Sequence, residues 1–367
     1  MIKNIAIENF RCFRNTSFKG FARVNLIGGK NNSGKTALLE AIFLNTSPRT
    51  GSIDMLRRFR KVDSSFMKQM PERAWNNLFF DKSLRNAIIT VETDSGKQLQ
   101  LNLRCDESIE EFLNVFSDEE EDDTVSNDDF EEIRELLTNR ESTRSTLHLD
   151  YSIDDKKDIS ATMIAHNKGL IGKNYNVPDV NDVFLIPSSL SLGNRSLSEE
   201  FGKADLNGQS EKLLQAFQII DEDIEAVKTI NVGYPSLYIK SKGEDFKPIG
   251  LYGDAISKVS NFILKIVNSK NSILLIDEIE NGIHTSAQAK LWKKIFELAE
   301  EFEVQIFATT HSIEMIKSFI QTIDKGNLDG KYHEIFKHHK TDEITSNAHS
   351  PDTLLFEIEN NMSVRGE

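Results

Sequence analysis

Residues Val24 to Leu44 read V-N-L-I-G-G-K-N-N-S-G-K-T-A-L-L-E-A-I-F-L. Within them, Gly29 to Thr36 (G-K-N-N-S-G-K-T) follows the apolar run Val24 to Ile27 directly and leads straight into a helical pattern. Strand, glycine loop and helix in that order are the setting a phosphate-binding P-loop requires; a glycine turn with an incidental Lys-Thr would lack these flanks. The glycines let the backbone curl, so N–H groups along Gly29, Asn31, Asn32, Ser33 and Gly34 are expected to point at phosphate oxygens, and the dipole of the following helix adds attraction. Lys35 is the expected point charge for the phosphates, and the Thr36 hydroxyl the expected ligand of Mg²⁺.

The other half of the chemistry lies far downstream. Ser272 to Ile276, S-I-L-L-I, is wholly apolar and suits a strand buried on both faces of a parallel sheet. It ends in Asp277-Glu278, and the carboxyl ends of such strands are where open α/β sheets hold their ligands. Asp277 is the expected metal carboxylate, acting through water, and Glu278 the expected general base for the attacking water. A further run, Val304 to Ala308, leads into T-T-H-S and sets His311 at a strand end, placed to sense or contact a γ-phosphate. Alone, Asp-Glu is ordinarily a solvated strand end and a lone His ordinarily structural. Downstream of a P-loop the three read as one site.

At 367 residues the chain has the material for a large core and two lobes. Its net charge of −14 argues against a surface built as a whole for nucleic acid, while leaving room for a local basic patch. The two cysteines, Cys12 and Cys105, match neither a metal-ligand spacing nor a disulfide framework, which points to a reducing compartment. No apolar run is long enough to span a bilayer, and M-I-K-N-I-A-I-E-N-F alternates like a strand instead of carrying a signal-peptide core. A soluble, cytoplasmic protein with no membrane contact is expected.

Three parts are expected along the chain: 1–50 opens the core and carries the P-loop, 51–182 is an inserted lobe, and 183–367 completes the core with the Asp277-Glu278 and His311 motifs. The P-loop helix is expected over Lys35 to about Leu44, and the Ser/Thr/Pro/Gly-rich stretch Thr46 to Ser52 as a loop. D-M-L-R-R-F-R-K-V follows, a basic helical stretch with Arg57, Arg58, Arg60 and Lys61; it reads as a solvated helix face or as a contact patch for DNA or a partner. N-A-I-I-T-V-E-T and K-Q-L-Q-L-N-L-R predict a β-hairpin, and Thr146 to Ile153 another strand. Ser117 to Glu132 is an acidic block that repels itself and buries little, hence a mobile loop, with docking of a basic partner or mimicry of nucleic acid favoured over a calcium loop, whose glycine turn it lacks. Val183 to Pro187 predicts a buried strand. Ser210 to Ile220 predicts a helix with Leu213, Leu214, Phe217 and Ile220 on one face. A glycine turn, Gly250 to Gly253, precedes an apolar helix ending near Asn268, whose amino end suits an anion. Ile313 to Ile320 predicts a last helix.

Four segments, in order, resemble the ATP-binding-cassette ATPases related to RecF and the SMC proteins, and most closely their OLD-like branch. I-E-N-F-R-C-F-R is similar to the opening strand and turn of that group, which implies that Arg11 lies near the nucleotide. F-A-R-V-N-L-I-G-G-K-N-N-S-G-K-T-A-L-L-E-A-I is similar to its P-loop segment. I-D-E-I-E-N-G-I-H resembles its Walker B strand and the following turn, through Asn281 and His284, and F-A-T-T-H-S resembles its switch-histidine segment. The resemblance implies an α/β P-loop NTPase of ABC-ATPase type: a mixed central sheet with flanking helices, an antiparallel β subdomain and a helical lobe. It implies ATP and Mg²⁺; the P-loop itself grips phosphate and ignores the base. Cassette ATPases close a Leu-Ser-Gly-Gly-like signature of one subunit over the ATP of another, often written Leu-Gly-Asp-Gly in the OLD-like branch. L-Y-G-D-A here gives Gly253 and Asp254 that role, with Ala255 in place of the last glycine. Gln209 is the candidate for a glutamine loop, and SMC-like heptad arms are missing.

Only 56 residues follow His311, too few for the Toprim domain of OLD nucleases. The resemblance therefore implies a stand-alone OLD-like ATPase that forms a homodimer or higher even oligomer and controls a separate effector, a nuclease or toxin, in bacterial anti-phage defence. The alternatives are a RecF-like DNA-repair ATPase using the Arg57 to Lys61 stretch, and an ATP-bound scaffold that does not hydrolyse.

Overall fold

The computed structural model describes residues 1–106, 144–154, 156–177, 182–188, 193–326, 328–338, 341, 343–349, 353–354, 357–358 and 360. The acidic block Ser117 to Glu132 lies outside the described residues.

The chain opens with β1 (Ile2–Phe10) and β2 (Phe13–Lys19), paired antiparallel, and then β3 (Val24–Gly28), which is buried at every position. Helix α1 (Lys35–Thr46) follows the P-loop; it is apolar on nearly every side and buried almost throughout, as a helix packed between two layers must be. Helix α2 (Thr50–Phe59) begins inside the stretch expected as a loop. Thr50, Gly51 and Ser52 are poor helix formers, but Ile53 and Leu56 reach the core and tertiary packing overrides propensity. The Asp63 carboxylate caps α3 (Ser64–Gln69) by accepting from the Ser65 N–H at 2.9 Å.

Strands β4 (Asn86–Thr93) and β5 (Gln98–Asp106) form the expected hairpin; β6 (Arg144–Ile153), β7 (Lys156–His166) and β8 (Gly169–Asn174) extend it. The resulting seven-stranded antiparallel sheet runs β2-β1-β4-β5-β6-β7-β8, taking strands from both 1–50 and 51–182. After β9 (Val183–Ile186) come α4 (Asn194–Leu206) and α5 (Ser210–Ile220), then a hairpin of β10 (Ile224–Val232) and β11 (Tyr234–Ser241) with the short β12 (Lys247–Pro248). The remainder is α6 (Asp254–Asn268), β13 (Ile273–Ile276), α7 (Thr285–Glu301), β14 (Gln305–Thr310), α8 (Ile313–Gly326), β15 (Gly330–Lys337) and β16 (Ile344–His349).

The central sheet runs β16-β15-β3-β14-β13-β9 and is parallel except for β16. Side-chain alternation divides its apolar runs between two cores. Leu274 and Ile276 of β13, with Val24 and Leu26 of β3, face the core shared with α6, α7 and α8. Ile273 and Leu275, with Ile27 and Phe307, face the core shared with α1 and the antiparallel sheet. Gln305, 2% exposed, fastens the two sheets: its Oε1 accepts from Ile2 N–H at 2.7 Å and its Nε2 donates to Ile2 O and Ala22 O at 2.8 and 3.0 Å. Each end of a buried amide is thereby satisfied.

Strand β15 lies beside β3 with Glu334 opposite Gly28. A Cβ on Gly28 would overlap the hydroxyl and ring of Tyr332, itself 1% exposed and walled in by core. Gly28→Ala is expected to destabilise by about 1–3 kcal/mol, the usual cost of overpacking. Denaturant unfolding checks this; a Tyr332→Phe change in the Gly28→Ala background should recover part of the loss, and no recovery would place the strain elsewhere.

Candidate nucleotide-binding site

Because β3, β14 and β13 are parallel and in register, Gly28 opposite Thr310 and Ile276 opposite Ala308, their carboxyl ends meet along one edge. There the P-loop and Asp277-Glu278 gather around a cavity of about 780 Å³, with the residues after β14 beside it. It is lined by Asn31 to Thr36, by Asp277 and Glu278, and by Arg11, Arg60 and Asn77. Lys35 and Glu278, separated by most of the chain, share this cavity.

The loop geometry follows from its residues. Gly34, at the amino cap of α1, has φ 103°, and Asn32 has φ 62°, left-handed positions that glycine and asparagine tolerate best. A Cβ on Gly34 would come within 3.0 Å of Cys12 Sγ. Lys35 Nζ lies 2.7 Å from Gly29 O and 2.8 Å from Lys30 O, folded back on the loop. Burial pulls its pKa below the ordinary lysine value, against the opposing pull of Asp277, Glu280 and Glu278.

Asp277 is 9% exposed and accepts from two hydroxyls: Thr309 Oγ1 donates to Oδ1 at 2.7 Å, and Thr36 Oγ1 lies 3.2 Å from both carboxylate oxygens. Burial nevertheless pushes its pKa above the usual aspartate range. A buried carboxylate whose charge the protein offsets only in part, beside a threonine hydroxyl, fits Mg²⁺, which takes one or two protein oxygens and completes its shell with phosphate and water. Among the described residues no cluster of three or more His, Cys, Asp or Glu side chains suits a metal held by protein alone.

Glu278 sits at φ 52°, left-handed for a residue with a side chain. Its N–H donates to Thr309 Oγ1 at 2.9 Å, the same hydroxyl that holds Asp277, so one threonine fixes both acids. Its carboxylate Oε2 accepts from Asn281 Nδ2 at 2.8 Å. The other sequence candidates are placed as follows. Arg11 lines the cavity, with Nε 2.8 Å from Glu40 and Nη1 2.8 Å from Asn77 O; burial lowers its pKa. Gly29 accepts from Lys35 behind the lining. His311 does not line the cavity: its Nδ1 and N–H both lie 2.8 Å from Glu280 Oε1. His284 caps α7, accepting from Ser286 N–H at 3.3 Å, and Gln209 precedes α5 without a side-chain cap bond, neither at the cavity.

Gly253, φ 86°, and Asp254 stand at the amino end of α6, outside the cavity lining. The turn after β13 rests on this end: a Cβ on Gly282 would lie 3.2 Å from Ala255 N. Three of the four cations of the basic stretch are ion-paired, but to two carboxylates only. Arg57 and Arg58 each reach Asp54 at 3.1 Å, and Arg60 reaches Glu40 at 2.7 Å. Arg60 and Glu40 are site residues that the motifs did not disclose; a lone Glu in an apolar helix carries no sequence signal for its partners.

The profile of the family described as "AAA domain, putative AbiEii toxin, Type IV TA system" matches residues 24–317, which span the P-loop, Asp277-Glu278 and His311. The chain belongs to this AAA-domain family. It is a P-loop ATPase of the AAA/ABC type. Over 352 aligned residues the ATPase is 24% identical to an ATP/GTP phosphatase of Helicobacter pylori, with 88% of each chain covered. Its fold is similar to an SMC head solved bound to the C-terminal winged-helix domain of ScpA: TM-score 0.50, 11% identity, 97% of this chain and 99% of that one. An SMC head domain from Thermotoga maritima matches with TM-score 0.47 and 10% identity, over 95% and 99% of the two chains. The likeness to the ScpA-bound head agrees with the α/β architecture implied by the sequence. No helix among the described residues is long and apolar enough to cross a membrane.

Proposed function

We propose that this ATPase is OLD-like, closes as a head-to-tail dimer on ATP, and controls a separate effector, a nuclease or toxin, in bacterial anti-phage defence. The observation that carries the reading is a half-site: Lys35, Thr36, Asp277 and Glu278 share one cavity, while Gly253 and Asp254 stay outside it at the amino end of another helix. A second copy turned head to tail would bring those groups over the first copy's nucleotide. The family description, which names the AAA domain itself a "putative AbiEii toxin" of a type IV TA system, supports a two-component setting, and the H. pylori relative supports hydrolysis of ATP or GTP.

In this reading an entering triphosphate draws Lys35 Nζ from the carbonyls of Gly29 and Lys30, and backbone N–H groups of the loop take the phosphate oxygens. Thr36 and Asp277 would hold Mg²⁺, which supplies charge neutralisation on the phosphates. Glu278 accepts a proton from the attacking water, its carboxylate oriented by Asn281. The Glu280–His311 contact ties the strand-end histidine to the turn that rests on α6, a physical link between the nucleotide edge and the dimer face. DNA binding through Arg57 to Lys61 would compete with the ion pairs to Asp54 and Glu40.

Phosphate release is expected with Mg-ATP and to stop on chelation by EDTA; Mg-GTP run in parallel fixes the base preference. Light scattering is expected to show the mass doubling with ATP and returning after turnover. Binding without any release would leave the scaffold reading standing, and an unchanged mass with ATP would remove the head-to-tail dimer.

A further inference from the structure

Helix α1 carries one acid in an otherwise apolar run, Glu40, one turn beyond Thr36 and 1% exposed. Its two carboxylate oxygens are divided between two arginines from different parts of the chain. Oε2 accepts from Arg11 Nε at 2.8 Å, and Oε1 from Arg60 Nε at 2.7 Å. Both arginines line the nucleotide cavity, so one buried carboxylate sets two cations side by side on its wall. The two differ in freedom. The Arg11 side chain is 10% exposed and its Nη1 is spent on Asn77 O, whereas that of Arg60 is 42% exposed and, among the described residues, its two terminal amines have no partner.

We propose that Glu40 is a positioning residue of the nucleotide site, holding Arg60 side-on through Nε so that its terminal amines face the phosphates, with Arg11 as the fixed second arm of the clamp. The inference rests on the nucleotide reading of the cavity and adds to it a pairing, Glu40 with Arg60, that no motif discloses. A guanidinium is a planar fork: gripped at Nε, its two Nη groups still present a flat, bidentate face. Holding that face in place before the anion arrives removes the ordering cost that a solvent-exposed arginine would otherwise incur on binding. Removing the carboxylate leaves two like charges adjacent in a partly buried wall, and Arg60, the exposed one, is the side chain free to leave. The apolar neighbours of Glu40 on α1 offer it no other partner, and the ion pairs cross 29 and 20 residues of sequence, so the arrangement exists only in the folded site.

The test is Glu40→Gln, similar in size and still hydrogen-bonding but uncharged, beside Glu40→Asp and Arg60→Ala. Two readouts are taken: KM and kcat for Mg-ATP, and the equilibrium Kd for the non-hydrolysable analogue AMP-PNP with Mg²⁺. Glu40→Gln and Arg60→Ala are each expected to raise KM and Kd by about tenfold, the loss of one charge-assisted contact, and to leave kcat within about threefold. The double variant should be no worse than Arg60→Ala, because both changes remove one contact. Glu40→Asp should recover part of the affinity. A folded Glu40→Gln with parental Kd overturns the proposal, as do effects of the two changes that multiply, or a Kd loss in Glu40→Gln with none in Arg60→Ala. The Kd arm reads the clamp even if the parent chain releases no phosphate, and failure of the parent to bind AMP-PNP at all refutes the nucleotide reading itself.

Discussion

Glu278→Gln is expected to lower ATP turnover by about 10²–10⁴-fold, the span general-base catalysis ordinarily provides, while leaving nucleotide affinity near that of the parent. The side chain changes by one group: the amide retains the volume and can still meet Asn281 Nδ2 through its oxygen, now 2.8 Å from Glu278 Oε2, but it cannot take a proton from water. The left-handed backbone at this residue is held from outside the side chain, by Thr309 Oγ1 on its N–H and Thr309 O on the next N–H at 3.0 Å, so the turn should survive. Binding intact with chemistry blocked predicts accumulation of an ATP-loaded state, seen as ATP retained on gel filtration and as a stable dimer by light scattering. Parental phosphate release in a single-turnover experiment would remove Glu278 from the role of base. A variant that no longer binds ATP would show that the carboxylate holds the nucleotide instead of activating water.

How far the sequence discloses this molecule depends on where its signal lies. Helix α5 begins and ends at Ser210 and Ile220, the limits its apolar stripe implies, and β13 departs from its apolar run by one residue. Both are cases in which periodicity and burial agree. Strands β15 and β16 left no comparable trace: His333 and Glu334 of β15 are 1% and 6% exposed, so polar residues fill buried positions and the alternation disappears. In the β10–β11 hairpin, β10 is largely exposed and gave no pattern, and only Leu237 and Ile239 of β11 alternate into the core, too short a stripe to single out. At the site, motif residues could be named because their chemistry is tied to a fixed local spacing. Arg60 and Glu40 could not, because their relation is a long-range ion pair between residues whose local settings read as a basic surface helix and an apolar core helix. His311 shows the reverse: its motif suggested a phosphate contact, and the fold engages it with Glu280, beside the cavity.

Lys35→Ala is expected to abolish measurable nucleotide binding, and Lys35→Met to do the same without leaving a void. The ammonium is the only lysine lining the cavity among the described residues, and its present partners are the carbonyls Gly29 O and Lys30 O, which the loop can return to water. A triphosphate would gain from it two charge-assisted hydrogen bonds, and losing both corresponds to about a hundredfold or more in Kd. The same substitution tests the energetics of the empty site. Burial pulls the Lys35 pKa down, so the protonated amine is disfavoured in the fold without ligand even with Asp277, Glu280 and Glu278 nearby. Lys35→Met keeps the aliphatic stem and deletes that buried charge, so its melting temperature without nucleotide should equal or exceed the parent's, while the upward shift that ATP gives the parent vanishes. Isothermal titration with Mg-ATP and melting curves with and without nucleotide check both halves. A variant that melts earlier without ligand and still binds ATP would mean that Lys35 braces the loop and that another group grips the phosphates.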